Sequence, residues 1–461
     1  MSREVAIFDL DSALLRSSPL PALSAALNDV DPARGRVASA VQALYRAFDP
    51  VSGPFLMPIA LRALLSRTKG QEDQLREAGD KAASTLTELV APYAKVEMDE
   101  HREAGRRLVL TTVAPVDLVQ PTAETLGFDA VVASGPRGRA VWGRGKLVAV
   151  RDWASANGAS LRRSHAYAGS IHDAPLLADI GHPTAVDPDP RLSVLAWLRG
   201  WPTRSLDVPP GVFKIAGREL QEWFRPFSRP GLVPNARFEF SDLDYIPSSG
   251  PAIVVANHRS YFDAVAVSLA IAQRGRSARF LGKREVFDAP IIGAPARWIG
   301  GIRVDRGTGS DEPLLAADRA LRAGELIMLM PQGTIPRGPA FFEPELKGRW
   351  GAARLASMSK VPVIPVGLWG TEKVWPRSSR LPRLNPSGRP LVSLRAGPEV
   401  ELLHQDPDED TTRIMSAIAD LLPPEGRQRR QPSPEELALT YPPGYKGEPD
   451  REHRRRPGTD K

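Results

Sequence analysis

The residues best placed to do chemistry are a histidine and an aspartate five positions apart, His258 and Asp263, in the stretch AIVVANHRSYFDA that opens at Ala252. On a regular helix that spacing sets two side chains about 140° apart, so the pair meets only where the chain turns. Ile253–Val255 reads as a short buried strand bounded upstream by PSSGP, and FDAVAVSLAIA reads as an apolar helix. The pair therefore falls at a strand-to-helix junction. There a carboxylate can hold one imidazole tautomer while the other ring nitrogen takes a proton from a hydroxyl. A structural alternative, a satisfied histidine beside a helix-starting aspartate, stays open on this pair alone. A second acidic pair, Asp9 and Asp11, ends the apolar run Val5–Phe8. That is where a parallel sheet binds ligands, at the carboxyl end of a strand.

The elements that must position these groups alternate along the chain. Apolar strands are expected at 5–8, 108–110, 130–133, 166–167, 253–255 and 326–329, with helical periodicity between them, for example over 36–90 and 146–157. That alternation predicts an α/β fold with parallel sheets. A length of 461 residues suggests two to three domains. With no cysteine, thiol catalysis, disulfides and Cys-ligated zinc are excluded. The N-terminus enters a strand pattern directly and lacks a signal-peptide core, and no run of eighteen uncharged apolar residues predicts a spanning helix. A net charge of +7 suits phosphorylated substrates or anionic lipid. No zinc finger, RNP motif or dense basic helix points to nucleic acid.

Residues 1–200 resemble the haloacid dehalogenase-like hydrolases of subfamily IB, a Rossmann-like fold with a helical cap, here about 20–98. The blocks that carry the resemblance are Asp9-Leu10-Asp11, Thr111-Thr112, GRGK at 143–146 and GSIHDAP at 169–175. The resemblance makes Asp9 the phosphoryl-accepting nucleophile and Asp11 the general acid/base. Thr112 and Lys146 take the family's phosphate-binding places, and magnesium would lie against Asp9, Asp11 and Asp173. Two positions depart from the family pattern. Gly169 stands where a metal-ligating aspartate is usual, and Ala13 where a threonine is. Magnesium takes hard oxygen ligands, so the loss of a carboxylate implies weak metal binding and a weak or inactive phosphatase.

Residues 201–235 read as a Pro- and Gly-bearing linker. Within it VFKIAGRELQEWFRPFS, 212–228, spaces Phe213, Ala216, Leu220, Trp223, Phe224 and Phe227 as on an amphipathic helix, with Lys214, Arg218 and Arg225 among them. That helix suits a lipid interface or ordinary packing on the next domain. The last stretch, 426–461, mixes proline, glycine and both charges and reads as a disordered tail.

Residues 236–425 resemble the glycerolipid acyltransferases of the 1-acylglycerol-3-phosphate type, an α/β fold. Four motifs stand in the family's order: NHRSYFD at 257–263, GIRVDR at 301–306 preceded by GKREVFDAPIIG, MPQGTIPRG at 330–338, and VPVIPVGLWG at 361–370. The resemblance makes His258 the base and Asp263 its orienting partner, with no acyl-enzyme. Arg306 would contact the acceptor's phosphate, and Asn257, Gln332, Gly333, Thr334 and Arg337 would bind substrate. Pro362 and Pro365 are expected to shape a strand. The third motif departs from Pro-Glu-Gly-Thr-Arg, with Gln332 for glutamate and Ile335 for arginine; Arg337 and Lys347 follow. Glutamine keeps the shape without the charge, which puts the choice of acceptor in play.

The sequence therefore predicts a haloacid dehalogenase-like domain fused to an acyltransferase that moves an acyl group from acyl-CoA or acyl carrier protein to a lysophospholipid. No cofactor is expected for acyl transfer itself. The expected setting is peripheral, on the cytoplasmic face of the cell membrane. Two alternatives remain at this point: a phosphatase with a silent acyltransferase half, and a non-enzymatic membrane-bound scaffold.

Overall fold

The computed structural model describes residues 3–31, 72–135, 140–212, 214–215, 218–288, 293–304, 311–383 and 388–446, side chains at 285, 286 and 295 excepted. The chain divides into two units, Met1–Pro210 and Gly211–Lys461.

The first unit holds six parallel strands: β1 Val5–Asp9, β2 Arg107–Pro115, β3 Ala130–Ser134, β4 His165–Ala168, β5 His182–Val186 and β6 Thr203–Arg204. Their order in the sheet is β3-β2-β1-β4-β5-β6. β1 is buried at every residue, with Ala6 and Phe8 in one core and Val5 and Ile7 in the other. Burial on both faces requires a continuous apolar run, which is why residues 5–8 stand out in the sequence. The strand order reverses between β1 and β4, and the crevice at such a reversal is where open parallel sheets take ligands. Of the expected cap, Leu20–Val30 and Glu72–Glu88 are helices; residues 32–71 lie outside the described residues.

The second unit opens with a small hairpin, β7 Lys214–Ile215 and β8 Arg218–Glu219. Its main sheet holds β9 Arg237–Ser241, β10 Ala252–Ala256, β11 Ala278–Lys283, β12 Ile302–Val304, β13 Leu326–Leu329, β14 Val363–Trp369 and β15 Leu391–Ala396. The order is β12-β11-β13-β10-β14-β15-β9, with only the β14/β15 pair antiparallel. β10 is central and wholly buried. Val254 and Ala256 meet helix Asp263–Gln273 in one core, while Ile253 and Val255 enter the other, under helices Glu312–Arg322, Gly351–Ser359 and Pro407–Asp420. Each such buried Val or Ile contributes about 1.5–3 kcal/mol, so β10 and its carboxyl end are held rigidly.

Two expectations are corrected. Residues 212–228 are not one amphipathic helix: the hairpin is followed by a helix of one turn or so, Leu220–Phe224, and a tighter turn at Arg225–Phe227. Phe213 and Ala216 lie outside the described residues. The helix starts late because Glu219 is held as its cap, in a reciprocal box with Glu222. Both carboxylate oxygens of Glu219 also accept from Arg279, at 2.6 and 2.7 Å. Pro226 has no N–H with which to continue it.

The second correction concerns residues 426–446 of the tail, which carry helical turns and a buried contact. Pro424–Arg427 and Pro434–Leu439 are helical, the second started by a Ser433/Glu436 capping box, and Thr440 is buried. Its polar composition hid the long-range contacts that hold it. Residues 447–461 lie outside the described residues. Among the described residues no helix is long and apolar enough to cross a membrane.

Candidate active sites

In the second unit the turn after β10 brings the two key side chains together. His258 Nδ1 lies 2.8 Å from Asp263 Oδ2. Asp263 is fully buried, and its carboxylate is saturated with donors. Oδ2 also accepts from the backbone amides of Arg259 at 2.6 Å and Ser260 at 2.8 Å, and Oδ1 from Thr371 Oγ1 at 2.5 Å. An aspartate surrounded by donors acts as the acceptor toward imidazole, so Nδ1 carries the hydrogen and Nε2 is left as the basic nitrogen. The His258 side chain is 22% exposed, and among the described residues no group bonds Nε2.

The other expected residues gather at the same carboxyl edge of the sheet. Gln332, after β13, accepts the His258 backbone N–H on Oε1 at 2.6 Å. A glutamate oxygen would do the same, so the exchange to glutamine preserves this tie. Gly333 sits at φ +70°, the left-handed turn that favours glycine. Thr334 Oγ1 accepts from Lys283 Nζ, at the carboxyl end of β11, at 3.0 Å. Arg337 lies over the ring of Tyr445, 4.8 Å from its centroid. Arg306 lies outside the described residues. Asn257, expected to bind substrate, is buried and pairs both amide atoms with the backbone of Leu368, at 2.8 and 2.7 Å. It ties β10 to β14 instead.

Sequence reasoning missed the support behind the dyad. Arg259, the residue after the histidine, forms a two-pronged ion pair with Glu372 at 3.1 and 3.3 Å. Its guanidinium is sandwiched between the rings of Trp369 and Phe341, at 4.0 and 4.2 Å. Burial is the largest single influence and would raise the Glu372 pKa, but the Arg259 charge and hydrogen bonds, with a backbone hydrogen bond and Lys373, together outweigh it and the net shift is downward. Thr371 and Glu372 directly follow the fourth motif, a polar pair closing an apolar strand. Lys283 had a signal too, in the GKR of the second block.

In the first unit the β1–β4 crevice collects the other set. Lys146 Nζ donates to Asp9 Oδ1 and to Asp173 Oδ1, both at 2.5 Å, with all three side chains buried. Ser12 Oγ donates its one hydrogen to Asp9 Oδ2 at 2.6 Å and lies 3.2 Å from Asp173 Oδ2. Asp11 turns to Thr112 Oγ1, at 2.9 Å, and to the Val113 amide, at 3.2 Å. Burial, with the charge of Asp9 adding to it, pushes Asp11 up to about 7. Burial also pushes Asp173 up to about 6, partly offset by Lys146. The ammonium is disfavoured by burial but more strongly held by Asp173 and Asp9, so its pKa is raised.

The site suits magnesium poorly. Of the three carboxylates expected around the ion, only Asp9 and Asp173 converge, and they converge on the Lys146 ammonium. Among the described residues no three carboxylate or imidazole side chains surround one point. Nor is there room at 169 for another ligand: a Cβ there would lie 2.3 Å from the Ser12 carbonyl oxygen and 2.4 Å from that of Val186. A hard divalent cation needs more oxygen ligands than this set supplies.

Two α/β units thus each carry a polar cluster at the carboxyl edge of a parallel core. The haloacid dehalogenase-like hydrolase family model matches residues 6–178, and the acyltransferase family model matches residues 237–369. The chain therefore joins a haloacid dehalogenase-like domain to an acyltransferase domain. It is similar to the "Inhibition of morphological differentiation protein" of Streptomyces azureus, 33% identical over 150 residues, which are 29% of this chain and 54% of that one. It is also similar to the "Probable phosphatase Rv3661" of Mycobacterium tuberculosis, 32% identical over 139 residues, 27% of this chain and 48% of that one. The chain thus spans about half the length of these curated relatives. Among solved structures, a protein of unknown function from Bordetella pertussis Tohama I is 24% identical with a TM-score of 0.37, over 45% of this chain and 100% of that one.

Proposed function

We propose that the chain is an O-acyltransferase, moving a fatty acyl group from acyl-CoA or acyl carrier protein to the free hydroxyl of a lysophospholipid such as 1-acylglycerol-3-phosphate. The observation that carries this reading is the His258–Asp263 pair, with a saturated buried carboxylate on Nδ1 and a basic Nε2. His258 Nε2 takes the hydroxyl proton as the oxygen attacks the thioester carbonyl. The tetrahedral intermediate collapses with cleavage of the C–S bond, and the thiolate leaves with the proton returned by the imidazolium. Among the described residues, Lys283 and Arg337 are cations at this edge suited to the phosphates of the reactants.

Peripheral attachment to the inner face of the cell membrane is part of the same reading. It is supported by Ile215, Trp223, Phe224, Phe227 and Leu232, all exposed, with the Arg218 guanidinium over Trp223. The N-terminal site retains Asp9, Asp11, Thr112 and Lys146, but Gly169 and the Lys146 bridge favour weak turnover or none. The test is purified full-length chain with labelled acyl-CoA and a panel of lysophospholipids. Transfer that disappears in a folded His258→Ala variant is expected, by about 100- to 10,000-fold. Robust magnesium-dependent phosphatase activity abolished by Asp9→Asn, with no acyl transfer, would instead select the phosphatase reading.

A further inference from the structure

The C-terminal segment and the third motif are built against each other. The amide of Gly338, the residue after Arg337, donates to Thr440 Oγ1 at 2.8 Å in a buried contact, and that hydroxyl donates on to Leu437 O at 2.7 Å. The Ser378 amide donates to Leu439 O at 3.2 Å. Tyr445, beneath the Arg337 guanidinium, stacks on Tyr441 with centroids 5.4 Å apart. The same segment reaches both walls of the box around Arg259. Arg430 lies 4.7 Å over Phe342, which meets Phe341 edge-on at 5.1 Å. Gly426 packs on the opposite wall so closely that a Cβ would sit 2.8 Å from the Trp369 ring. The segment that makes these contacts, 424–446, lies beyond residues 237–369, which the acyltransferase family model matches.

We propose that residues 424–446 complete the acyltransferase site, with Thr440 and Tyr445 acting as positioning residues that aim Arg337 at the phosphate of the acyl acceptor. The substrate class rests on the acyltransferase reading. A ring under a guanidinium engages its face, while phosphate is gripped through the N–H edge, so the two contacts are compatible. A long side chain already held in place gives up less freedom when the acceptor binds. Thr440 fixes the backbone at the root of that side chain, and Tyr445 fixes its far end. The third motif carries Ile335 at the family's arginine position, and this arrangement supplies a guanidinium from two residues further on.

The test is a double-mutant cycle on the full chain, read by acyl transfer to lysophosphatidic acid and, without donor, by calorimetric binding of the same lipid. Tyr445→Leu is expected to raise the acceptor's KM and Kd about fivefold to twentyfold with kcat within about twofold, and Tyr445→Phe, which keeps the ring, to lose less than Tyr445→Leu. Arg337→Ala should show a similar loss, and the double variant should lose no more than Arg337→Ala alone. Thr440→Val should resemble Tyr445→Leu, and Thr440→Ser should restore binding. Additive losses in the double variant, a fall in kcat matching the rise in KM, or an equal defect in Tyr445→Phe would each overturn the proposal. A wild-type chain that transfers no acyl group refutes the acyltransferase reading, while the calorimetric cycle still decides the positioning claim. Absence of any lysophosphatidic acid binding by wild type overturns the positioning claim as well.

Discussion

Replacing Asp263 by asparagine removes one charge from a site whose hydrogen bonds dictate how the new amide must sit. Oδ2 faces two backbone N–H donors, of Arg259 and Ser260, together with His258 Nδ1. An amide nitrogen there would face those donors, so the amide oxygen takes that place and the NH₂ turns to Thr371, whose hydroxyl can rotate to accept it. The imidazole tautomer is thereby kept. What is lost is the attraction between the carboxylate and the imidazolium formed during attack. At about 4 Å and an effective dielectric constant near 20 that attraction is about 4 kcal/mol. The amide dipole retains part of it, so the loss is about 3 kcal/mol, or roughly a hundredfold in kcat. Asp263→Ala behaves differently, because it strands two buried backbone donors at about 1–3 kcal/mol each and should lower thermal stability as well as rate. The assay is steady-state acyl transfer for both variants beside their melting curves. Asp263→Asn with wild-type kcat would refute the charge argument. A loss of about 10,000-fold would refute the argued orientation of the amide.

Three further outcomes are expected. Gly169→Asp should destabilise the first unit by about 2–3 kcal/mol from the clashes with the Ser12 and Val186 carbonyls, without adding magnesium affinity; a stable variant that binds magnesium by calorimetry would contradict this. Asp11, pushed up to about 7 when folded against about 4 in an unfolded chain, holds more protons in the folded state across that window. Stability of the first unit should therefore fall as pH rises from about 4 to 7 and level off above, and denaturant titrations at several pH values should show a flatter slope in Asp11→Asn; an unchanged slope counts against it. Trp223→Ala/Phe224→Ala should weaken sedimentation with anionic vesicles, at about 1–3 kcal/mol per buried aromatic; undiminished binding would place the membrane contact elsewhere.

What the sequence revealed was local. The dyad is legible because both residues belong to one turn after one strand, and β1, β10 and β13 because burial on two faces writes itself as an unbroken apolar run. What it hid depends on distant partners. Gln332 reads as a substrate contact, and its oxygen accepts from the backbone of His258, in the turn after a neighbouring strand. Arg259 is one of four residues between histidine and aspartate until Glu372, Trp369 and Phe341 close around it. The periodicity of 212–228 is helical, but Arg279 captures Glu219 and sets where the helix begins. Composition marks 426–446 as disordered because composition does not register Thr440 meeting Gly338.

The edge of the second sheet has a consequence for biosynthesis. β9 is the first strand of that sheet to be made, and its partner is β15, with Arg237 opposite Leu391. Roughly 150 residues separate them, so at about 5–20 residues per second the strand waits some 8–30 s on the ribosome for its neighbour. Meanwhile Phe238 and Phe240 have nowhere to go, and the alternating Arg237, Glu239 and Ser241 are what keep the unpaired strand from recruiting another nascent chain. The strand that begins the acyltransferase domain is thus among the last to be locked in, and the demand for chaperone protection should fall on that interval.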